Sequence, residues 1–172
     1  MQSDNNNLLK ISKAEADKWI RYGLKKKEED EVNILLSEGN EDNLIESFHK
    51  KLEFGTGGMR GIIGIGSNRI NSYTISLATQ GLCNYLNKIV DGNKSAVIAY
   101  DSRRFSKEFG YQTAKIFSAN NIKSYIFSDL RPTPELSFAV RELNCSCGIV
   151  ITASHNPKEY NGYKVYWNDG GQ

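Results

Sequence analysis

Two hydrophobic periodicities alternate along this chain. Leu44, Ile45, Phe48 and Leu52 recur at helical spacing, as do Ile75, Ala78, Leu82, Tyr85, Leu86 and Ile89. These predict helices over about 41–52 and 72–90. Between and after them stand two short apolar runs, Ser95 to Tyr100 and Gly148 to Thr152, with Ile122 to Phe127 as a further strand. Runs of that length, closed by polar turn residues, fit strands covered on both faces. Ser106 as N-cap predicts a further helix over about 107–119. Thr133 as N-cap, with Pro134 in the first turn, predicts another reaching Leu143. Helix and strand alternate at short intervals. The expected fold is α/β, a three-layer α/β/α sandwich on a mostly parallel mixed sheet with right-handed crossovers.

The ends of the chain read differently. Residues 1 to about 10 are polar and are expected to be disordered. Ser12 then reads as a helix N-cap with Glu15 completing a capping box, and Gly23 as the stop. Lys25 to Glu31 is a run of basic then acidic residues, which reads as a solvated helix face. A second helical stretch is expected over 31–37, before Gly39. Residues 1–40 are thus a helical extension ahead of an α/β domain spanning 41–172. Near the other end, Asn161-Gly162 predicts a tight turn. Beyond it, Tyr163, Val165 and Trp167 share one face of an extended segment, with Lys164 and Tyr166 on the other.

Composition narrows the function classes. The 172 residues carry a formal net charge of +2, with no basic stripe interleaved with aromatics, so nucleic acid is not an expected partner. No apolar run is long enough to span a bilayer, so a membrane partner is not expected either. The polar segment Met1 to Asn7 lacks the apolar core of a secretory signal, and a cytoplasmic location is the expectation. Cys83, Cys145 and Cys147 are an odd number, and the Cys145-x-Cys147 pair lacks further ligands for zinc. They read as reduced thiols. His49 lies beside an apolar helical face and reads as a packing or surface residue.

Three segments carry candidate chemistry. The first is Thr152-Ala153-Ser154-His155-Asn156-Pro157, a loop breaking a buried strand where α/β folds place their sites. It offers one hydroxyl, Ser154, and one imidazole, His155, with Lys164 ten residues beyond the serine. By composition alone it is also an ordinary turn. The second is Gly55-Thr56-Gly57-Gly58-Met59-Arg60-Gly61, which lacks both the dinucleotide fingerprint and the P-loop pattern. It reads either as a flexible hairpin or as an oxyanion site, because Arg60 offers phosphate a charged planar fork. The third, Asp101-Ser102-Arg103, follows a strand and reads either as a structural ion pair or as part of a ligand site.

Taken together these segments resemble the α-D-phosphohexomutases, the family of phosphoglucomutase and phosphomannomutase. Thr-Ala-Ser-His-Asn-Pro followed by Tyr160-Asn161-Gly162-Tyr163-Lys164 is similar to the family's phosphoserine loop. Gly55, Thr56, Gly58, Arg60 and Gly61 match its first motif, and Asp101-x-Arg103 and Pro132-Thr133-Pro134 match others. The resemblance covers about residues 41–172, the first of the family's four domains. It implies that Ser154 carries a phosphoryl group, that Arg60 and His155 neutralise it, and that Lys164 is a general acid or base. It places Arg60, Thr56, Gly58, Asp101, Arg103 and Asn156 among substrate or phosphate contacts. It implies Mg²⁺ bound through phosphorylated Ser154, with the other ligands on an Asp-rich loop of a second domain, and a sugar 1,6-bisphosphate activator. The expected partners are a phosphosugar and the remaining domains of the same polypeptide. Arg60, His155 and Lys164 should converge on Ser154, and the 172 residues alone should fold without turning over. The ending Tyr163 to Asn168 is most similar to the branch holding phosphomannomutase or phosphopentomutase activity. The competing reading is a non-catalytic phosphate-binding or subunit-interaction module.

Overall fold

In the computed structural model, which describes residues 2–172, the chain divides into two compact units. The first comprises the chain up to Glu53 together with Gly61–Asn71, and the second Phe54–Arg60 with Ser72–Gln172.

The first unit holds three helices: α1 (Gln2–Arg21), α2 (Lys26–Leu36) and α3 (Glu41–Phe48). Ala16, Val32, Leu44, Phe48 and Ile65 form its buried cluster, with Leu9, Trp19 and Ile20 packed against it. That cluster corrects the expectation of disorder before residue 10, at least from Gln2 onward; Met1 lies outside the described residues. Leu9 extends the apolar stripe one turn back from Ser12, and burying it outweighs the polar composition of the segment. Ser12 is therefore an interior residue, not a cap: its hydroxyl donates to the Leu8 carbonyl at 2.8 Å. Helix α2 begins at Lys26, five residues before the expected start. Glu28 and Glu29 occupy its first turn, where the helix dipole favours negative charge, and Lys26 pairs with Asp30 at 3.0 Å. Helix α3 stops at Phe48, short of the expected Leu52. The backbone beyond it bonds instead to Ser67, whose hydroxyl donates to Lys50 O and whose carbonyl accepts from Leu52 N.

The remaining elements are β1 (Met59–Ile62), α4 (Ser72–Ile89), β2 (Ser95–Tyr100), α5 (Ser106–Ala119), β3 (Lys123–Ile126), α6 (Thr133–Glu142), β4 (Cys147–Ile151) and β5 (Tyr160–Trp167). The sheet order is β1-β5-β4-β2-β3. Strands β3, β2 and β4 run parallel and β5 is antiparallel to β4. Alternation along β2 and β4 divides the side chains between two helical layers. Val97, Ala99 and Val150 pack with Leu136, Ala139 and Val140 of α6. On the other face, Ile98 and Tyr100 lie against α5 at Gly110. This is the expected α/β sandwich, with its parallel core and an antiparallel strand beside it.

Several boundaries differ from the sequence reading. The buried residues of α4 are Thr74, Ile75, Thr79, Cys83 and Leu86, while Tyr85 and Ile89 are exposed. The inward stripe is rotated because Thr79 is satisfied inside, its hydroxyl 2.8 Å from Ile75 O and 3.1 Å from Tyr163 Oη. Thr133 opens α6 rather than capping it, with Pro132 in the cap position. Ser106 likewise opens α5, because Phe105 takes the cap position at φ 64° and the Ser106 hydroxyl donates to Asp101. Asn161-Gly162 is no turn: both residues are buried within β5. The Asn161 amide donates to Arg104 O at 3.0 Å and Ser106 Oγ at 2.9 Å, contacts to residues more than fifty positions away that override the local turn preference.

Candidate active site

Ser154 lies past the end of β4, where the buried run Cys147–Ile151 gives way to a loop. Its backbone sits in the left-handed region at φ 56°, and the residue is exposed. A non-glycine residue holds that conformation only when its surroundings impose it. Here Thr152 Oγ1 accepts from the Ser154 amide at 3.0 Å, and Arg103 donates to the Ser154 carbonyl at 2.9 Å. The hydroxyl projects from a backbone fixed on both sides, with His155 Nδ1 3.4 Å from Oγ.

The Gly-rich segment is a closed turn. Gly55 and Gly58 exchange backbone hydrogen bonds at 3.1 Å each way, with Thr56 exposed between them. Gly58 has φ 93°, and a β-carbon there would stand 2.6 Å from the Tyr163 carbonyl. Only glycine meets both demands, and the result is a turn pressed against β5 beside Lys164. Gly162 does the same from the other side: a β-carbon on it would lie 2.7 Å from both Met59 O and Thr152 O. These close approaches bring β1, β5 and the root of the Ser154 loop together.

Arg60 leaves β1 within this junction. One terminal nitrogen donates to Asn156 Oδ1 at 3.3 Å, which ties the guanidinium to the Ser154 loop across 96 positions. Its Nε is buried with no hydrogen-bond partner. A buried, unpartnered cationic donor is costly to keep unless a ligand anion meets it. Lys164, on β5, donates to Gln172 Oε1 at 3.2 Å. Burial, and secondarily the Arg60 charge, hold its ammonium below the usual lysine range.

Asp101 and Arg103 follow β2. Arg103 pairs with Asp101 Oδ2 at 3.5 Å, and Asp101 Oδ1 accepts from the Arg103 amide and the Ser106 hydroxyl. The Arg103 guanidinium reaches the Ser154 loop and donates to four of its carbonyls. The structure thus sets His155 beside Ser154, Arg60 on Asn156 and Arg103 on the loop's carbonyls, while Lys164 bonds Gln172 and feels the charge of Arg60. Ser106 and Asn161, which lock Asp101 in place, escaped the sequence reading. Period-2 alternation carried back from Tyr163 puts Asn161 on an inward face, where its amide needs a partner; that was the available signal.

The metal implied by the resemblance is Mg²⁺. Among the described residues, no three His, Cys, Asp or Glu side chains group to hold a metal ion. What this chain offers at the loop is one exposed serine hydroxyl, while the neighbouring carbonyls are taken by Arg103. Such a donor set fits at most one position of a hard cation that takes about six oxygens.

A hydroxyl at the tip of an α/β strand loop, a guanidinium with one unpartnered donor and a lysine of lowered basicity are groups that phosphate chemistry can use. Residues 51–172 match the family described as phosphoglucomutase/phosphomannomutase, alpha/beta/alpha domain I. The chain belongs to this phosphohexomutase family and carries its first domain. It is 41% identical over 166 residues to a phosphopentomutase of Homo sapiens, covering 92% of this chain and 27% of that protein. It is 44% identical over 156 residues to a phosphoglucomutase of Staphylococcus haemolyticus, covering 91% and 28% respectively. A Thermus thermophilus crystal structure described as a phosphomannomutase superposes with a TM-score of 0.65 at 30% identity, over 71% of this chain and 27% of that one. The chain thus spans about a quarter of the length of these curated relatives. No helix among the described residues is long and apolar enough to cross a membrane.

Proposed function

We propose that this chain carries the phosphoryl-bearing serine of a phosphosugar mutase, with residues 41–172 serving as its first domain and 1–40 as a helical extension. The observation that carries the reading is Arg60: a guanidinium bonded once, to Asn156, with Nε buried and unpartnered beside the loop that presents Ser154. In the first half-reaction the Ser154 Oγ–P bond breaks and a sugar hydroxyl oxygen takes the phosphoryl group. The hydroxyl proton passes by way of neutral Lys164 to the departing Ser154 oxygen. After the bisphosphate reorients, the second sugar O–P bond breaks and Oγ is rephosphorylated, its proton passing back through Lys164 to the sugar oxygen. Arg60 and His155 face the charge that moves between these oxygens. A lowered lysine basicity is what the first proton transfer needs near neutral pH.

Phosphorylated Ser154 would give Mg²⁺ one ligand. Its other ligands, and the loops that select the sugar, belong in this reading to further domains of the same polypeptide. A hexose phosphate is the first substrate reading, with the 1,6-bisphosphate as activator. A pentose phosphate is the second, favoured by the name of the human relative.

The test is to incubate the full-length polypeptide with glucose 1,6-bisphosphate and map phosphate by mass spectrometry. Phosphate is expected on Ser154 and absent from Ser154→Ala; phosphate on another residue defeats the reading. In a coupled assay for glucose 6-phosphate, the 172-residue chain alone is expected to show no measurable turnover. Positioning by the missing loops is worth roughly 7–11 kcal/mol of barrier.

A further inference from the structure

We infer that Arg103 is a positioning residue that holds the Ser154 loop in its reactive conformation, not a ligand of the phosphosugar. A guanidinium has five N–H groups and no acceptor. In Arg103 the four terminal N–H groups are hydrogen-bonded to carbonyls, and Nε stands in an ion pair. One terminal nitrogen donates to Pro157 O at 2.8 Å and Tyr160 O at 3.0 Å. The other donates to Ser154 O at 2.9 Å and Asn156 O at 2.6 Å. Nε faces Asp101 Oδ2 at 3.5 Å, and the side chain is 14% exposed. No terminal donor remains for a phosphate oxygen, and Nε faces the Asp101 carboxylate, which would repel one. A phosphate bound here would have to strip carbonyls from the guanidinium and undo the loop.

The four carbonyls belong to residues 154, 156, 157 and 160, so the loop is wrapped around one planar cation. The consequence falls on Ser154. Its amide is held by Thr152 Oγ1 and its carbonyl by Arg103, which fixes the chain on both sides of its α-carbon and keeps φ at 56°. The Asn156 carbonyl is held too, and Asn156 is the residue whose side chain receives Arg60. One clamp therefore sets both the hydroxyl and the guanidinium proposed to meet its phosphate. Arg103 is in turn fixed by Asp101, whose other oxygen is tied to Ser106, which accepts from Asn161 of β5. The rigid sheet thus supports the reactive loop through one unbroken set of hydrogen bonds.

This inference rests on the mutase reading for its kinetic consequence, and on geometry alone for the clamp. Arg103→Ala and Arg103→Lys in the full-length polypeptide test both. For Arg103→Ala, kcat should fall about 100-fold, as for a displaced reacting group, with KM within about threefold of the parent. Trypsin cleavage after the exposed Lys158 should accelerate at least about tenfold, because cleavage follows the opened population of the loop. Added methylguanidinium should restore part of both. Arg103→Lys should lie between, since an ammonium can serve three of the four carbonyls. If Arg103→Ala gives no cooperative melt, the same measurements on Arg103→Lys and Asp101→Asn decide. The inference is overturned by a KM about tenfold higher with kcat retained, or by unchanged cleavage after Lys158. If the parent protein shows no mutase turnover, the functional reading fails, while the Lys158 cleavage still decides the clamp.

Discussion

Two arginines meet the Ser154 loop from different strands, and they are in opposite states. Arg103, after β2, has its four terminal N–H groups on carbonyls and its Nε in an ion pair with Asp101. Arg60, on β1, makes one bond to a side-chain amide and buries an unpartnered Nε. Residue type and charge are the same in both. The protein satisfies the terminal donors of the first and leaves donors of the second unmet, and a donor can serve a ligand only if the protein has not already satisfied it. In sequence both stand in short motifs that suggest phosphate contacts. Only the census of hydrogen bonds separates them.

That contrast predicts a crossing of effects. Arg60→Met should cost the most activity, about 10²–10³-fold in kcat, because it removes charge from the position where the phosphoryl group moves. The same change should leave the thermal midpoint nearly unaltered, since a buried donor without a partner is removed. Arg103→Met should cost less activity and more stability, about 1–3 kcal/mol, because carbonyls lose their donor. Calorimetry beside steady-state kinetics reads both, and equal melting shifts for the two variants would break the comparison.

Gly57→Ala is a finer probe. A β-carbon there would stand 2.7 Å from the Arg60 terminal nitrogen, the far end of a flexible side chain. The guanidinium should swing aside, with kcat down about tenfold and little change in melting. An unaltered kcat would mean that the orientation of Arg60 does not matter.

The smallest expected effect is a shift of pH profile. Lys164 is held below the usual lysine range by burial first and by Arg60 second. As a base it acts when neutral, so activity should rise with pH through its titration. In Arg60→Met the repelling charge is gone, the ammonium is favoured, and that rise should move to higher pH. Burial remains, so it should stay below the ordinary lysine value. A shift to lower pH would mean that the two groups do not interact as the structure indicates.

Much of this was legible along the chain. The runs Ser95 to Tyr100 and Cys147 to Ile151 are apolar at every buried position, so covered parallel strands were readable without tertiary information. Ser154, His155, Arg60 and Lys164 were readable as candidates because their segments resemble the phosphohexomutase motifs; by composition alone the serine loop was also an ordinary turn. Helix starts were read less well. Ser12 and Ser106 have good capping chemistry, yet one lies inside α1 and the other opens α5 while bonded to Asp101.

The amino-acid order by itself determined the layers, the strand that ends at the serine loop and the kinds of side chain available there, because periodicity and residue chemistry are local properties. Tertiary structure alone decided how each polar group is satisfied. Asn161 became a buried strand residue and Arg103 the centre of a loop, through bonds to residues more than fifty positions away. A local pattern cannot specify such partners: a hydrogen bond depends on distance and direction in space, and those are fixed only when the sheet has assembled.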